Sequence, residues 1–137
     1  MARTGKNMED RIENLDWIKE RAACSLALVF ERLKTEIKAD VDERNAIRPE
    51  RAGYKFVVDA KGNVIIVAAE SNRPYIAVKF ELFDNAIVVK DKSEAVKIEA
   101  TLTLNDRGEC KLRVKGQERE FWQFRREALE HLFFNYF

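Results

Sequence analysis

The stretch 95-AVKIEATLTLNDRGECKLRVK-115 decides the fold, because it holds two alternating apolar segments joined by a glycine-containing turn. From Val96 to Leu104 every second side chain is apolar, which is the period of a strand with one buried and one wet face. Asp106-Arg107-Gly108 fits a three-residue hairpin loop, since glycine readily adopts the left-handed conformation needed at its last position. The predicted register pairs Leu104 with Cys110, Leu102 with Leu112, and Ala100 with Val114.

The same alternation predicts four more strands upstream. Six strands are predicted in all, at residues 54–59, 63–69, 75–83, 86–91, 95–104 and 109–115. The first two flank a three-residue loop, Ala60-Lys61-Gly62, and the next two flank Asp84-Asn85. The second strand contains 64-VIIVAA-69, which is apolar on both faces, so we expect it to be central and covered twice.

A helix precedes this sheet and another follows it. Residues 8–41 lack glycine and proline and carry apolar side chains at steps of three and four, which predicts one long helix that overhangs a small sheet. Residues 117–136 predict the second helix, whose apolar positions spread too widely for burial against one surface. We therefore expect an α+β fold: a long N-terminal helix, a six-stranded antiparallel meander, and a C-terminal helix packed on the sheet. Residues 1–137 form one domain in this prediction, with residues 1–7 flexible.

Composition excludes several classes of protein. The 25 Lys and Arg residues nearly balance the 24 Asp and Glu, and a net charge of +1 lacks the basic excess of a general nucleic-acid binder. The longest apolar run without a charge, residues 22–30, is less than half of the roughly 20 residues that span a membrane. The N-terminus lacks the apolar segment of a signal peptide, so we expect a cytoplasmic protein that does not enter a membrane.

The sequence contains no motif of a known catalytic site. It lacks GxSxG, the P-loop, HExxH and GxGxxG, and two cysteines with one histidine are too few for a four-ligand zinc site. We therefore expect no metal or cofactor and assign no catalytic residue, although acid/base catalysis by carboxylates and tyrosine stays open. Cys24 and Cys110 fall on different predicted elements, without an activating cation or helix N-terminus, and we expect free, mostly buried thiols.

Candidate contact residues lie on the two helices. Trp17, Cys24 and Leu28 form a second apolar ridge on the first helix, which either a second copy of the chain or the last helix would cover. Arg125 projects into the aromatic arc of the last helix. Its guanidinium either reaches water along those rings, the favoured interpretation, or pairs with a buried acid or an anionic ligand.

The last helix supplies three further candidates. His131, the only histidine, lies at the edge of the apolar arc, where a hydrogen-bonded boundary residue is favoured over a general base oriented by Glu127. Trp122 and Tyr136 are aromatic contact candidates. Four aromatics among the last five residues, 133–137, predict that the chain end is docked rather than free.

A basic stretch with interleaved aromatics crosses the last hairpin and the last helix. Its members are Arg107, Lys111, Arg113, Lys115, Arg119, Arg125 and Arg126, with Trp122 and Phe124 between them. Such a combination is able to hold single-stranded nucleic acid by stacking and phosphate contact. Acidic residues in the same stretch, and the ordinary use of Lys and Arg to protect edge strands, argue against nucleic acid as a partner.

These observations predict a non-enzymatic interaction protein whose long first helix and aromatic last helix contact a partner. The partner is either a second copy of the chain, giving a homodimer, or another protein. The alternative is a small-ligand or peptide binder with a pocket between sheet and helices, with weak acid/base activity in that pocket as its extension. Binding of single-stranded nucleic acid is the third hypothesis.

Overall fold

The computed structural model describes residues 16–47, 55–70 and 76–134 of the chain. Three helices lie within these ranges: α1 Trp17–Ala23, α2 Leu26–Ile47 and α3 Phe121–Phe134. The strands are β1 Phe56–Lys61, β2 Val64–Ala69, β3 Ala77–Leu82, β4 Ile87–Asp91, β5 Val96–Leu104, β6 Cys110–Val114 and β7 Gln117–Arg119. The predicted flexible segment, residues 1–7, and Tyr136 lie outside the described residues.

The strands form one open antiparallel sheet in the order of the sequence, from β1 to β7. The α+β prediction is therefore confirmed, and so is the predicted β5–β6 register. The hairpin between them closes as expected, because Gly108 has a positive φ of 77° and its N–H donates to the Asn105 carbonyl at 2.9 Å. The Asn105 side chain stabilises the turn further by accepting from the backbone N–H groups of Arg107 and Glu109.

The prediction of six strands was one short. Lys115 and Gly116 both have positive φ, 52° and 77°, and form a two-residue turn that returns the chain as β7. Turns of this kind match the natural twist of a hairpin, and glycine at the second position makes one accessible. The last helix consequently begins at Phe121, not at residue 117.

The first hairpin also differs in detail from its prediction. Lys61 pairs with Val64, so the loop is Gly62-Asn63, two residues long, with the positive φ of 58° at Gly62. β2 is not central, because only β1 separates it from the sheet edge. Its apolar side chains are fully buried on one face, while Val64 and Ile66 on the other face are only partly buried.

The predicted single N-terminal helix is two helices within the described residues. The helix is interrupted at Cys24-Ser25, where the Ser25 hydroxyl accepts a hydrogen bond from the Leu28 N–H at 3.2 Å and caps α2. Serine favours such positions because its side chain satisfies an otherwise unpaired helical N–H. α2 then continues to Ile47, six residues beyond the predicted end.

The core lies between one face of the sheet and the helices α2 and α3. The predicted stripe of α2 is buried from Val29 onward, as Leu33 and Ile37 show. The Phe80 ring meets Phe124 of α3 edge-on at 6.0 Å. Both long helices therefore share one face of the sheet, and α3 is buried against two surfaces, as its wide apolar arc predicted.

Candidate functional site: a groove between two helices

α2 and α3 lie side by side on the sheet and run in the same direction. Three contacts at successive levels fix this arrangement. The Arg32 guanidinium lies 4.2 Å from the centre of the Phe121 ring, Arg125 meets the middle of α2, and Arg44 meets the end of α3. The two helices thus present a common outer surface that faces away from the sheet.

Arg125 joins the two helices through a pair of carboxylates. Its Nε donates to Asp40 at 2.7 Å and its Nη1 donates to Glu36 at 2.9 Å. Glu36 and Asp40 are one turn apart on α2, so both reach one guanidinium. The favoured expectation, that this side chain reaches water along the aromatic rings, is therefore wrong: the Arg125 side chain is only 17% exposed and pairs with acids.

Arg44 holds the C-terminal end of α3 and was missed in the sequence. This residue is 2% exposed, and its Nε donates to the Phe133 carbonyl at 2.8 Å, in the last turn of α3, where a cation is favoured. The guanidinium also lies 5.0 Å from the centre of the Phe56 ring. The available signal was periodicity, because Arg44 continues the buried stripe after Ile37 and Val41.

A groove of about 390 Å³ follows the seam between the two helices. Leu129 and Phe133 form a buried apolar floor, while the exposed rings of Trp122, 53% exposed, and Phe134, 48% exposed, stand at its rim with Ile47. Both signs of charge line the walls, in Glu43, Arg126 and Glu130. The groove thus combines an apolar floor with a mixed charged rim, which is typical of a contact surface.

The structure brings together only some of the candidate contact residues. Trp122 and Arg125 both line the groove. Trp17, 68% exposed, and Leu28 lie at the other end of the helical layer, so α3 does not cover the proposed second ridge. His131 is exposed and borders a smaller cleft of about 160 Å³ between α3 and the sheet.

Cys24 and Cys110 form a disulfide, which corrects the prediction of free thiols. Their Cα atoms are 5.5 Å apart, the usual spacing for a disulfide, and the bond ties the end of α1 to the start of β6. No spacing pattern in the sequence indicates a pair 86 residues apart. Cys24 is the C-cap residue of α1 and directly precedes the Ser25 cap of α2.

Among the titratable groups with shifted pKa values, Asp91 stabilises a turn. Asp91 accepts from the hydroxyl and N–H of Ser93 and from the N–H of Ala95, and these bonds lower the pKa of its carboxyl. Ser93 and Asp91 border the same cleft as His131. The Ser93 hydroxyl donates a hydrogen bond to Asp91, however, and this contact is that of a turn rather than of an activated nucleophile.

Among the described residues, no three His, Cys, Asp or Glu side chains converge as a metal site requires.

The predicted basic stretch is largely neutralised by ion pairs. Lys111 pairs with Glu120 at 2.8 Å, Arg119 with Glu127 at 3.0 Å, and Arg126 with Glu130 at 3.0 Å. Phe124 is fully buried and therefore offers no ring for base stacking. This arrangement lacks the continuous basic, aromatic groove of a single-strand binder.

Comparisons with protein-family models, with curated proteins and with solved structures return no match to this chain. Within the described ranges, no helix has the length and apolarity needed to cross a membrane. The class that fold and site define is an α+β protein with a groove between two helices, and that groove is its candidate functional site.

Proposed function

We propose that the protein is a non-enzymatic interaction protein that forms a homodimer through the groove between α2 and α3. The observation that carries this proposal is the cluster of exposed apolar side chains on the groove rim, Trp122, Phe134 and Ile47, above a buried apolar floor. Large exposed apolar side chains that lie together typically mark an interface. Tryptophan in particular is enriched among residues that dominate binding energy.

A second copy of the chain fits the charge pattern of this rim. Glu43, Arg126 and Glu130 give the rim both signs of charge, so a copy related by a two-fold axis presents opposite charges that are available to pair. A strongly acidic or strongly basic partner would meet like charges somewhere on this surface. The net charge of +1 adds little long-range repulsion between two copies.

The test is the mass in solution of wild type and of two matched tryptophan variants. We expect light scattering at micromolar concentration to give twice the chain mass of 16.0 kDa for wild type and the single mass for Trp122→Glu. The control is Trp17→Glu, which places the same charge at another exposed tryptophan and should leave the dimer intact. Dissociation by the control alone would assign the interface to the Trp17 ridge, and a monomeric wild type would refute the homodimer.

Binding of an apolar peptide or small ligand in the same groove is the second candidate. Its volume of about 390 Å³ falls within the ~300–1,000 Å³ usual for ligand sites. This location differs from the expected pocket between sheet and helices, where the structure has a cleft of about 160 Å³ beside His131 and a cavity of about 470 Å³ beside Cys110. A monomeric wild type, together with a Trp17→Phe variant whose remaining Trp122 fluorescence shifts with an apolar peptide, would favour this second function.

A cytoplasmic location stays a prediction. Disulfides that persist are typical of oxidising compartments, whereas those of cytosolic proteins are usually transient and redox-active. The state of the Cys24–Cys110 pair in cells, measured by trapping thiols at lysis, therefore tests the location. A pair that is always oxidised would favour an oxidising compartment.

A further inference from the structure

We propose that the Cys24–Cys110 disulfide is a reversible latch. The oxidised disulfide holds α1 against the sheet, and thiol–disulfide exchange with a protein dithiol releases it. The inference is independent of the groove and of the homodimer. It rests on how α1 is attached, on the access to the sulfurs, and on the chemistry of the two cysteine positions.

The disulfide is the one strong tie between α1 and the described remainder of the fold. None of the α1 residues is buried. Among the described residues, the hydrogen bonds of residues 16–23 stay within residues 16–25, such as Lys19 N–H to Asp16 and Cys24 N–H to Glu20. No ion pair links residues 16–23 to the rest of the described chain. A seven-residue helix is too short to persist alone in water, so, apart from the chain link to α2, its placement in the described fold depends on this bond.

The two sulfurs lie where a reductant has access. Cys24 and Cys110 are each only partly buried. A cavity of about 470 Å³ opens beside Cys110, and its lining includes Glu20 of α1, Lys111 of β6 and Phe121 of α3. A disulfide sealed in the core, such as one beside Phe80, would lack such an approach.

The exchange reaction follows from the position of Cys110. A thiolate of the reducing dithiol attacks the Cys110 sulfur, the Cys24–Cys110 bond breaks, and a mixed disulfide with Cys110 forms. Cys24 is the expected leaving group, because Cys110 lines the cavity through which the reductant approaches and Cys24 does not. The second thiol of the reductant then attacks the mixed disulfide and releases Cys110. In total, the protein gains two electrons and two protons, and the dithiol becomes a disulfide.

Reduction is expected to free α1 and leave the remaining fold in place. The core between α2, α3 and the sheet contains neither cysteine among its fully buried side chains, which include Phe30, Phe80 and Phe124. Once α1 leaves, Phe121 and the already exposed Leu28 gain exposure on the cavity wall. The latch therefore changes the surface at the N-terminal end of α2, at the opposite end of that helix from Ile47 and the groove.

Hydrogen exchange of oxidised and dithiothreitol-reduced protein tests the release of α1. We expect the amides of residues 20–24 to exchange at least about tenfold faster after reduction, since local opening sets the exchange rate, and those of residues 29–41 in α2 to remain far better protected than residues 20–24. The double variant Cys24→Ser with Cys110→Ser should match reduced wild type with or without reductant. Equal α1 rates in both redox states, or residues 29–41 that become as poorly protected as residues 20–24 after reduction, would overturn the latch.

Reversibility is tested by titration in glutathione buffers and by a thioredoxin-type dithiol protein, followed by mass counting of alkylated thiols. We expect catalytic amounts of the dithiol protein to reduce the native pair, and removal of reductant to restore it. A pair that resists reduction until the protein is unfolded would be a permanent structural bond and would refute the proposal. Free thiols in air-oxidised protein would refute it as well. The light-scattering mass, followed in parallel, reports on the groove and leaves the two proposals distinguishable.

Discussion

Replacement of Arg125 by methionine tests whether the pairing of α2 with α3 depends on the shielded ion pairs. Methionine keeps an apolar stem of similar length and removes the charge, so Glu36 and Asp40 lose the cation that lies 2.9 and 2.7 Å from them. The matched control is Arg126→Met. Arg126 is the next residue of α3 and pairs with Glu130 at 3.0 Å, but its side chain is 64% exposed.

The expected effects differ because the two arginines differ in their exposure to water. Exposed ion pairs contribute about 0.2–1 kcal/mol, and pairs between residues i and i+4 of a helix only about 0.3–0.5. Removing one partner of a fully buried pair costs about 3–5 kcal/mol. The Arg125 side chain is 17% exposed and its carboxylate partners are about one quarter exposed, so we expect an intermediate loss of about 1–2 kcal/mol.

Urea denaturation followed by circular dichroism provides the measurement. With a slope of about 2 kcal/mol per molar urea, Arg125→Met should lower the midpoint by about 0.5–1 M, and Arg126→Met by less than about 0.3 M. A double-mutant cycle with Asp40→Asn should return a coupling energy near about 1 kcal/mol. Equal shifts for both arginine variants, or zero coupling with Asp40, would show that the contact between α2 and α3 does not depend on this cation.

Three further predictions concern the disulfide, the end of α3 and one turn. Replacing Cys24 and Cys110 together by serine should lower the free energy of unfolding by up to about 4.5 kcal/mol relative to oxidised wild type, from the chain entropy of an 86-residue loop; assays in dithiothreitol should abolish the difference. Phe133→Ala should cost about 3–5 kcal/mol in urea melts because this ring is buried, while Phe134→Ala, half exposed, should cost under about 1; similar losses would contradict the assignment. Folding lowers the pKa of Asp91, so its stabilising effect is present above the usual aspartate pKa, about 3.9, and is lost as pH falls through the lower folded value. Asp91→Asn should therefore reduce the loss of thermal stability in that acid range. An unchanged pH profile of the melting temperature would refute the role of Asp91.

The sequence predicted most of the sheet because its signals are local. Alternation from Val96 to Leu104 and the turn at Gly108 set the β5–β6 register without reference to the rest of the chain. The seventh strand was missed because Gln117–Arg119 is only three residues long and polar, too short for a period to be visible. Lys115-Gly116 was the available signal, since glycine at the second position favours a tight hairpin turn.

The features missed around the candidate site are long-range. Cys24 and Cys110 show no spacing pattern, and only the packing of α1 near β6 places them together. Arg125 was correctly placed within an apolar arc, but its partners Glu36 and Asp40 lie at least 85 residues away in the chain. Periodicity identifies the face of a helix on which a charge lies and contains no information about which element brings the opposite charge.

The charges on the open face of the sheet favour the helical layer as the contact surface. Lys79 and Lys90 lie directly opposite each other on β3 and β4, and Glu94 and Glu81 neutralise them at 2.8 Å each. The hydrogen bond from Lys90 to Glu81 raises the pKa of Lys90, and the bond from Lys79 lowers the pKa of Glu94. A partner on this face would have to remove four charged groups from water, whereas the groove offers the exposed rings of Trp122 and Phe134 above an apolar floor, beside the charged side chains of its walls. These exposed rings support the proposal that a partner contacts the protein where α2 and α3 meet.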